Sequence, residues 1–334
     1  MIPPLPDHLQ LEITSACNLR CTMCLVRYRA PVNKIAGAMP LDLFTRIVDD
    51  VPTLRRLTLQ GLGEPLLSPH LMDMLRYATD RGIAVGFNTN ATLLTRSRAD
   101  ALVQAGLSWL HVSLDGATAG TYERIRDGAN FQTAVSNLTG LVAAKRAAGA
   151  SNPWIRVVFV AMRDNVAELP ALVELLAWAG VDELRVQNLS HTFSDTDPAG
   201  SYEEIRQFAA DQALWTEADH AAADGAFAAA RTAADSLGIT LRLPTLSATS
   251  PRRGTAHGPR CSWPWDAAYV TSTGVVQPCC MVMGDDRVTL GDLNAQPFSE
   301  IWHGPAYQDF RRRLIGDAAP PSVCQGCALY QSTF

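Results

Sequence analysis

Eight cysteines in a chain of 334 residues fall into two groups more than two hundred residues apart. Three stand at positions 17, 21 and 24, and five at 261, 279, 280, 324 and 327. A secreted disulfide scaffold would be shorter, denser in cysteine and preceded by a signal segment. Here the first residues, MIPPLPDHLQ, carry prolines and an acid where a signal would carry basic and then apolar residues. The expected location is the cytoplasm, where thiols stay reduced. Clustered thiols there read as metal ligands or catalytic groups, and any fold must gather each group around its own site.

The remaining composition is that of an ordinary soluble protein, 47% hydrophobic and 18% charged. No run approaches the roughly 18 apolar residues of a membrane span, and a net charge of −5 offers no footprint for nucleic acid. Neither a membrane nor a nucleic acid is expected as a partner. Arg311, Arg312 and Arg313 read as a solvated helix face.

Across the first two-thirds, short β-rich runs alternate with amphipathic ones. Strands are predicted at Leu9–Thr14, Arg56–Gln60, Ile83–Asn88, Trp109–Leu114, Trp154–Ala161 and Glu183–Gln187. Helices are predicted near 41–50, 69–80, 95–105, 130–147 and 166–179. The last has Asn165 as a candidate cap, Glu168 at its third position and Gly180 as its stop. This rhythm implies parallel βαβ units in an α/β fold, either an open sheet or a barrel. Residues 191–258 read as a helical connector, with helix near 201–235, a strand at Ile239–Leu243 and a mobile linker at Ser247–Pro259. Beyond it, Ala267–Thr271 and Val275–Gln277 flank Ser272-Thr273-Gly274 as a hairpin, and a helix is expected over Pro297–Leu314.

Cys17, Cys21 and Cys24 follow the first strand directly, at the end where α/β folds place their chemistry. Three thiolates can hold one face of an iron–sulfur cube and leave a fourth iron open. A structural zinc would need a fourth ligand, and no His or further Cys lies within thirty residues downstream.

The C-x3-C-x2-C run after a first strand resembles the radical S-adenosylmethionine (radical SAM) enzymes. That resemblance implies a partial (βα)6 TIM-type barrel over about 1–190. It also implies a 4Fe–4S cluster on Cys17, Cys21 and Cys24, whose open iron binds SAM and, once reduced, yields a 5′-deoxyadenosyl radical. Further matches follow the later strands. Gly61-Leu62-Gly63-Glu64-Pro65 is similar to the Gly-Gly-Glu motif that meets the SAM amino group, with Leu62 in place of the first Gly. Asn90 and Ser113 fall on segments that contact ribose and methionine, and Arg126 matches an arginine that pairs with the SAM carboxylate. Met23 stands where an aromatic residue usually lies near the adenine; its thioether can also pack on a purine.

The pattern C-x12-G-x4-C…C-x2-C supplies four more ligands, Cys261, Cys279, Cys324 and Cys327. Spacing alone admits zinc or a cluster. With the first triplet, residues 259–334 resemble the twitch, or half-SPASM, domain with one auxiliary 4Fe–4S cluster. Four cysteine ligands would close that cluster to substrate and suit it to moving electrons. Cys280 is left over, as a small buried residue, a hydrogen-atom donor or a substitute ligand.

The resemblance implies hydrogen abstraction from a small sugar, aminocyclitol or nucleoside, with two-electron oxidation in antibiotic biosynthesis as the leading outcome. The four C-terminal cysteines are spaced like those of aminocyclitol dehydrogenases. An external donor such as flavodoxin or ferredoxin would supply the electron. Redox-neutral epimerisation, dehydration or decarboxylation, peptide maturation, and a non-catalytic iron–sulfur or zinc scaffold are the alternatives. A first strand near residue 9 reads as leaving no room for a peptide-recognition domain upstream. For acid–base chemistry Arg156, Arg163, Glu168, Asp182 and His191 all lie near strand ends, and the sequence does not select among them.

Overall fold

The computed structural model describes residues 3–28, 37–196, 200, 202–214, 216–245, 261–282, 287–315 and 319–331. The linker expected at Ser247–Pro259 lies outside them. Among the described residues ten strands form one sheet in the order β10-β9-β8-β1-β2-β3-β4-β5-β6-β7. They are β1 (His8–Leu11), β2 (Arg56–Thr58), β3 (Ala84–Thr89), β4 (Trp109–Ser113), β5 (Trp154–Val160), β6 (Glu183–Gln187), β7 (Thr240–Arg242), β8 (Ala267–Val270), β9 (Val275–Gln277) and β10 (Gly291–Asp292). Strands β1 to β7 are parallel neighbours in chain order. The strand expected in the connector is β7, which extends the sheet beyond β6. The hairpin β8–β9 forms as expected, with Gly274 at φ 94 in its turn. Its first strand pairs parallel with β1, so the sheet continues from the barrel strands into the C-terminal segment.

The strands alternate. Leu9, Leu11, Leu57, Val85, Phe87, Leu110, Val112, Ile155, Val157 and Leu184 are fully or almost fully buried on one face. The intervening residues include His8, Gln10, Arg56, Thr58, Asn88, His111, Arg156, Glu183 and Arg185. A closed parallel barrel fills its interior with branched apolar side chains, and parallel strands buried on both faces read as continuous apolar runs. Here only the outer face does so. The inner face mixes polar residues with Trp109 and Val158 and surrounds a cavity. At Gly86 an added Cβ would come within 2.2 Å of the Trp109 indole, so the glycine is what lets that ring lie against the sheet.

The short α1 (Leu25–Tyr28) packs apart, with Phe193, Tyr202 and Ile205, while the outer face is lined by α2 (Leu41–Asp50), α3 (Leu71–Thr79), α4 (Arg96–Gln104), α5 (Ala119–Ile125), α6 (Phe131–Ala147) and α7 (Leu169–Ala179). Thr95, Thr118 and Asn130 cap α4, α5 and α6 through their side chains. Helix α7 ends at Gly180, left-handed at φ 76, as expected. Its start differs from expectation. Residues Val166–Glu168 form a 3-10 turn and Asn165 makes no cap. Pro170, lacking an N–H, fits the first turn of the helix proper. The Asn165 amide instead accepts from Met162 N (2.8 Å) and donates to the carbonyls of Asp115 and Val160. Helices α8 (Glu203–Gln212) and α9 (Glu217–Leu237) follow β6, and α9 packs extensively on α7.

In the C-terminal segment, α10 (Trp263–Asp266) precedes β8. The helix expected over 297–314 is two, α11 (Phe298–His303) and α12 (Pro305–Ile315), parted at Gly304-Pro305. Arg311 is not on a solvated face. It is 3% exposed, donates to the carbonyls of Pro264 and Trp302 (2.7 Å each), and lies 4.2 Å from the ring centres of Trp302 and Tyr307. Two carbonyls and two aromatic faces compensate its desolvation.

Candidate functional site

The first cysteine loop is held by an element that sequence reading missed. Arg20 N and Thr22 N donate to the carbonyls of Asp127 and Ile125 at the end of α5 (2.9 Å each), and the Arg27 guanidinium meets Asp127 at 3.0 Å. Leu19 and Leu25 anchor the loop in the interior. Cys17, Cys21, Met23 and Cys24 then line one cavity together with Gly63, Glu64, Asn90, Ser113 and Arg126. Every residue expected around the first cluster and SAM reaches this hollow.

Their partners refine the expected roles. Glu64 is 3% exposed, and its carboxylate accepts from Leu66 N, Thr89 Oγ1 and Asn90 N at 3.2, 2.7 and 2.8 Å. Burial pushes its pKa up, opposed by those bonds. It is a strut between the β2 loop and the end of β3. At Gly63 a Cβ would stand 2.4 Å from Thr14 O and 2.5 Å from Ala16 O, so only glycine fits. Asn90 Nδ2 donates to Asn18 Oδ1 at 3.0 Å, binding β3 to the cysteine loop.

Arg126 forks onto buried Asp115 at 2.6 and 2.7 Å and points Nη1 at Cys21 Sγ, 3.8 Å away. Burial opposes its charge, but Asp115 and Cys21 outweigh this and raise its pKa. A permanent cation therefore lies beside the thiols. Burial raises all three, with Cys24 pushed up to about 12. They are neutral until a ligand displaces the protons, as an iron–sulfur site requires.

Glu12, which sequence reading passed over, joins this loop to the C-terminal segment. Its buried carboxylate accepts from Leu62 N (3.1 Å), Tyr269 Oη (2.9 Å) and Ser272 Oγ (3.1 Å). Glu12 falls on the polar phase of Leu9-Gln10-Leu11-Glu12-Ile13-Thr14, so the alternation hides it.

The second group assembles from three segments. Cys261 precedes α10, Cys279 and Cys280 follow β9, and Cys324 and Cys327 flank a turn. Burial raises Cys261 to about 11 and Cys280 and Cys324 to about 12, and raises Cys279 and Cys327 too. Neighbouring thiols add to the shift at Cys261, Cys279, Cys280 and Cys324, which records how closely they gather. The turn docks on the segment after β6. Thr192 N donates to Gly326 O, Ala328 N to Ser190 O, and His191 Nε2 to Val323 O at 2.7 Å. Phe193 N donates to His191 Nδ1, which fixes a neutral tautomer; burial and then Arg287 lower this histidine to about 4. Arg287 in turn forks onto buried Asp195 at 2.6 and 2.8 Å.

No disulfide joins any of the eight cysteines. Among the described residues, no three His, Cys, Asp or Glu side chains converge tightly enough to chelate a single ion.

Between the two groups lies a cavity of about 360 Å3. Gln60, Gly61, Leu62 and Asn88 are common to its wall and that of the first hollow. Cys280 and Met281 close it from the second group. An open hollow of about 760 Å3 between α2 and residues 293–298 is lined by none of the cysteines or motif residues. Of the five strand-end candidates for acid–base work, four are tied up structurally and are not among the residues lining the cavity. Arg163 pairs with Asp219, Asp182 with Lys145, Glu168 holds Ala117, Thr118 and Thr121, and His191 docks the turn. Arg156 differs: it reaches His111, which lines the cavity.

Comparison with known proteins agrees with this geometry. The Radical SAM superfamily pattern matches residues 11–184, just over half of the chain, and the SPASM iron–sulfur cluster-binding domain matches 261–328. The tungsten-containing aldehyde ferredoxin oxidoreductase cofactor-modifying protein of Pyrococcus furiosus is 35% identical over 189 residues, 54% of this chain and 51% of that protein. The chain thus spans about half the length of that relative. The AdoMet-dependent heme synthase of Methanosarcina barkeri is 29% identical over 338 residues, covering 96% and 91%. Streptococcus suis SuiB, solved bound to S-adenosylmethionine, shares the fold with a TM-score of 0.72 at 16% identity, covering 98% of this chain and 72% of that one. Among the described residues no helix is long and apolar enough to cross a membrane. The chain belongs to the radical SAM superfamily, a family that uses SAM and a 4Fe–4S cluster, and its C-terminal SPASM domain adds an auxiliary iron–sulfur cluster.

Proposed function

We propose that this enzyme abstracts hydrogen from a small polar substrate held in the cavity between its two cysteine groups and completes a two-electron oxidation there. The observation that carries the reading is that cavity's shared walls, Gln60 to Leu62 and Asn88 toward the SAM side and Cys280 and Met281 toward the auxiliary side. In this assignment Cys17, Cys21 and Cys24 hold the first cluster, and Gly63, Glu64, Asn90, Ser113 and Arg126 shape the SAM seat. Cys261, Cys279, Cys324 and Cys327 hold the auxiliary cluster. When bound, the cofactors supply a 5′-deoxyadenosyl radical and, once the substrate has also lost a proton, an acceptor for its remaining electron. Gln10, Asn88, Gln187 and Ser190 offer amides and a hydroxyl to orient hydroxyl groups on the substrate. A volume of about 360 Å3 suits a small molecule better than a peptide. Cysteine spacing like that of aminocyclitol dehydrogenases supports oxidation, and an external flavodoxin or ferredoxin would supply the priming electron.

The test is anaerobic reconstitution with iron counting, followed by 5′-deoxyadenosine release and product mass. We expect about eight irons and a product lighter by two hydrogen atoms. About four irons, or a product of unchanged mass, would defeat the oxidative reading.

Cys280 on the cavity wall supports a second reading, in which its thiol returns a hydrogen atom and the outcome is epimerisation. Solvent deuterium fixed at an inverted carbon, and lost in Cys280→Ala, would establish it over oxidation.

A further inference from the structure

Four polar side chains stand in a row across the adjacent strands β3 to β6. Strand register sets Asn88 opposite His111, His111 opposite Arg156, and Arg156 opposite Glu183. Neighbouring strands lie about 4.8 Å apart, so opposed residues on one face meet side by side. Glu183 is buried and pairs with Arg156 at 2.6 Å. Arg156 Nη1 lies 3.3 Å from His111 Nε2, and His111 Nδ1 lies 3.0 Å from Asn88 Oδ1. The row has one direction. A guanidinium only donates, so His111 Nε2 accepts. Burial first, then Arg156, Arg56 and Arg185, lower the His111 pKa to about 3, so the ring is neutral. Its one proton therefore sits on Nδ1 and is donated to Asn88. The Asn88 amide must turn its oxygen to the histidine, because turning its nitrogen there would set two N–H groups against each other. Its Nδ2 is left over, and among the described residues nothing accepts from it. Asn88 belongs to the wall shared by the SAM hollow and the larger cavity, and His111 to the wall of that cavity.

We propose that this ladder presents Asn88 Nδ2 as a fixed donor to an oxygen of the substrate, with His111 as the positioning residue that fixes it. This rests on the reading of the cavity as the substrate site, and it sharpens what that site selects. The part of the substrate nearest the SAM hollow carries an acceptor oxygen, a hydroxyl or a carbonyl. An ammonium has no lone pair to offer there. An amide free to turn would offer its oxygen as readily as its nitrogen and would select neither group. The ladder removes that freedom, and only strand register, not spacing along the chain, brings its four members together.

Two measurements on the anaerobically reconstituted holoenzyme, its clusters oxidised, test this. In nitrogen-15 spectra of histidine-labelled protein, the resonances lost in His111→Asn should report a protonated Nδ1 and a bare Nε2. An Nε2–H tautomer, or an imidazolium at neutral pH, would overturn the ladder. The second measurement is calorimetric titration of the SAM-loaded holoenzyme with myo-inositol, which carries an oxygen on every ring carbon whichever way it lies. Asn88→Ala and His111→Phe should bind it about tenfold more weakly. His111→Phe keeps the bulk of the ring and loses the donor, whereas His111→Asn loses bulk and keeps the donor. The asparagine variant should therefore recover most of the affinity, and a space-filling role would give the reverse order. An asparagine variant no better than the phenylalanine one, unchanged binding in Asn88→Ala or His111→Phe, or no binding by the wild type would overturn the substrate contact. So would a matching loss of SAM affinity, which would give the amide to the cofactor. Release of 5′-deoxyadenosine by the same wild-type sample is scored separately. Its absence would count against the enzymatic reading, while the spectra and the titration still decide the ladder and its contact.

Discussion

The two cysteine groups are built in opposite ways. Cys17, Cys21 and Cys24 sit on one loop, eight residues from first to last, braced by the end of α5. The C-terminal cysteines come from three segments, and their gathering depends on the hairpin, the docked turn and the Arg287–Asp195 pair. A local site needs only its loop and an anchor. A composite site needs the fold around it to be complete first, so it should be the more fragile of the two.

The largest effect that tests this contrast is on chemistry. Cys21→Ala should reduce 5′-deoxyadenosine release about a thousandfold or more, as loss of one member of a catalytic unit does, while the C-terminal iron remains. Cys324→Ala should lose that iron yet keep most of the SAM cleavage. Equal loss of cleavage in both variants would show that the groups act as one unit.

Next in size is the docking pair. Arg287 and Asp195 side chains are 5% and 7% exposed, and Asp195→Asn leaves a buried cation short of its partner, a cost of about 3 kcal/mol. Thermal denaturation should show the loss, and iron analysis should show it confined to the C-terminal cluster. Equal iron loss at both clusters would end the distinction.

Glu12→Gln addresses the connection between the groups. An amide cannot accept from Leu62 N, Tyr269 Oη and Ser272 Oγ together, so about 2 kcal/mol of stability should go. Urea denaturation measures it, and a neutral result would mean the two sites are joined by strand pairing alone.

The effect most confined in its conditions, absent at neutral pH, is on acid stability. His8, His111 and His191 are held neutral in the fold, with pKa values lowered from 6.5 to about 4, 3 and 4. The unfolded chain takes up their protons first, so stability is full above pH 6.5 and declines as pH falls toward 4. His111→Asn, which keeps a donor for Asn88, should flatten that decline by about 1 kcal/mol per pH unit. An unchanged slope would remove His111 from the group that sets it.

Residue by residue, the legible features were those that local chemistry imposes. The strand-to-loop position of Cys17 and Gly180 at a left-handed helix end follow from spacing and sterics, whereas Gly63 was singled out by its motif and its close approach to Thr14 O and Ala16 O is seen only in the fold. Asn165 and Arg311 did not read correctly, because each has a local role available, cap or solvated face, that distant partners displaced. Helix α5 was missed although it secures the cysteine loop. It spans only Ala119–Ile125, too short for a periodic signal.

By itself, then, the sequence determined the alternation of strands and helices, the spacing within each thiol group and the left-handed stop at Gly180, since each is a matter of neighbours along the chain. Only the tertiary structure decided that Glu12 joins two loops and that β8 extends the barrel sheet. It alone set Glu183 of β6 between Arg156 of β5 and Arg242 of β7. Those are properties of side chains far apart in sequence, and charge and hydrogen bonding act through space.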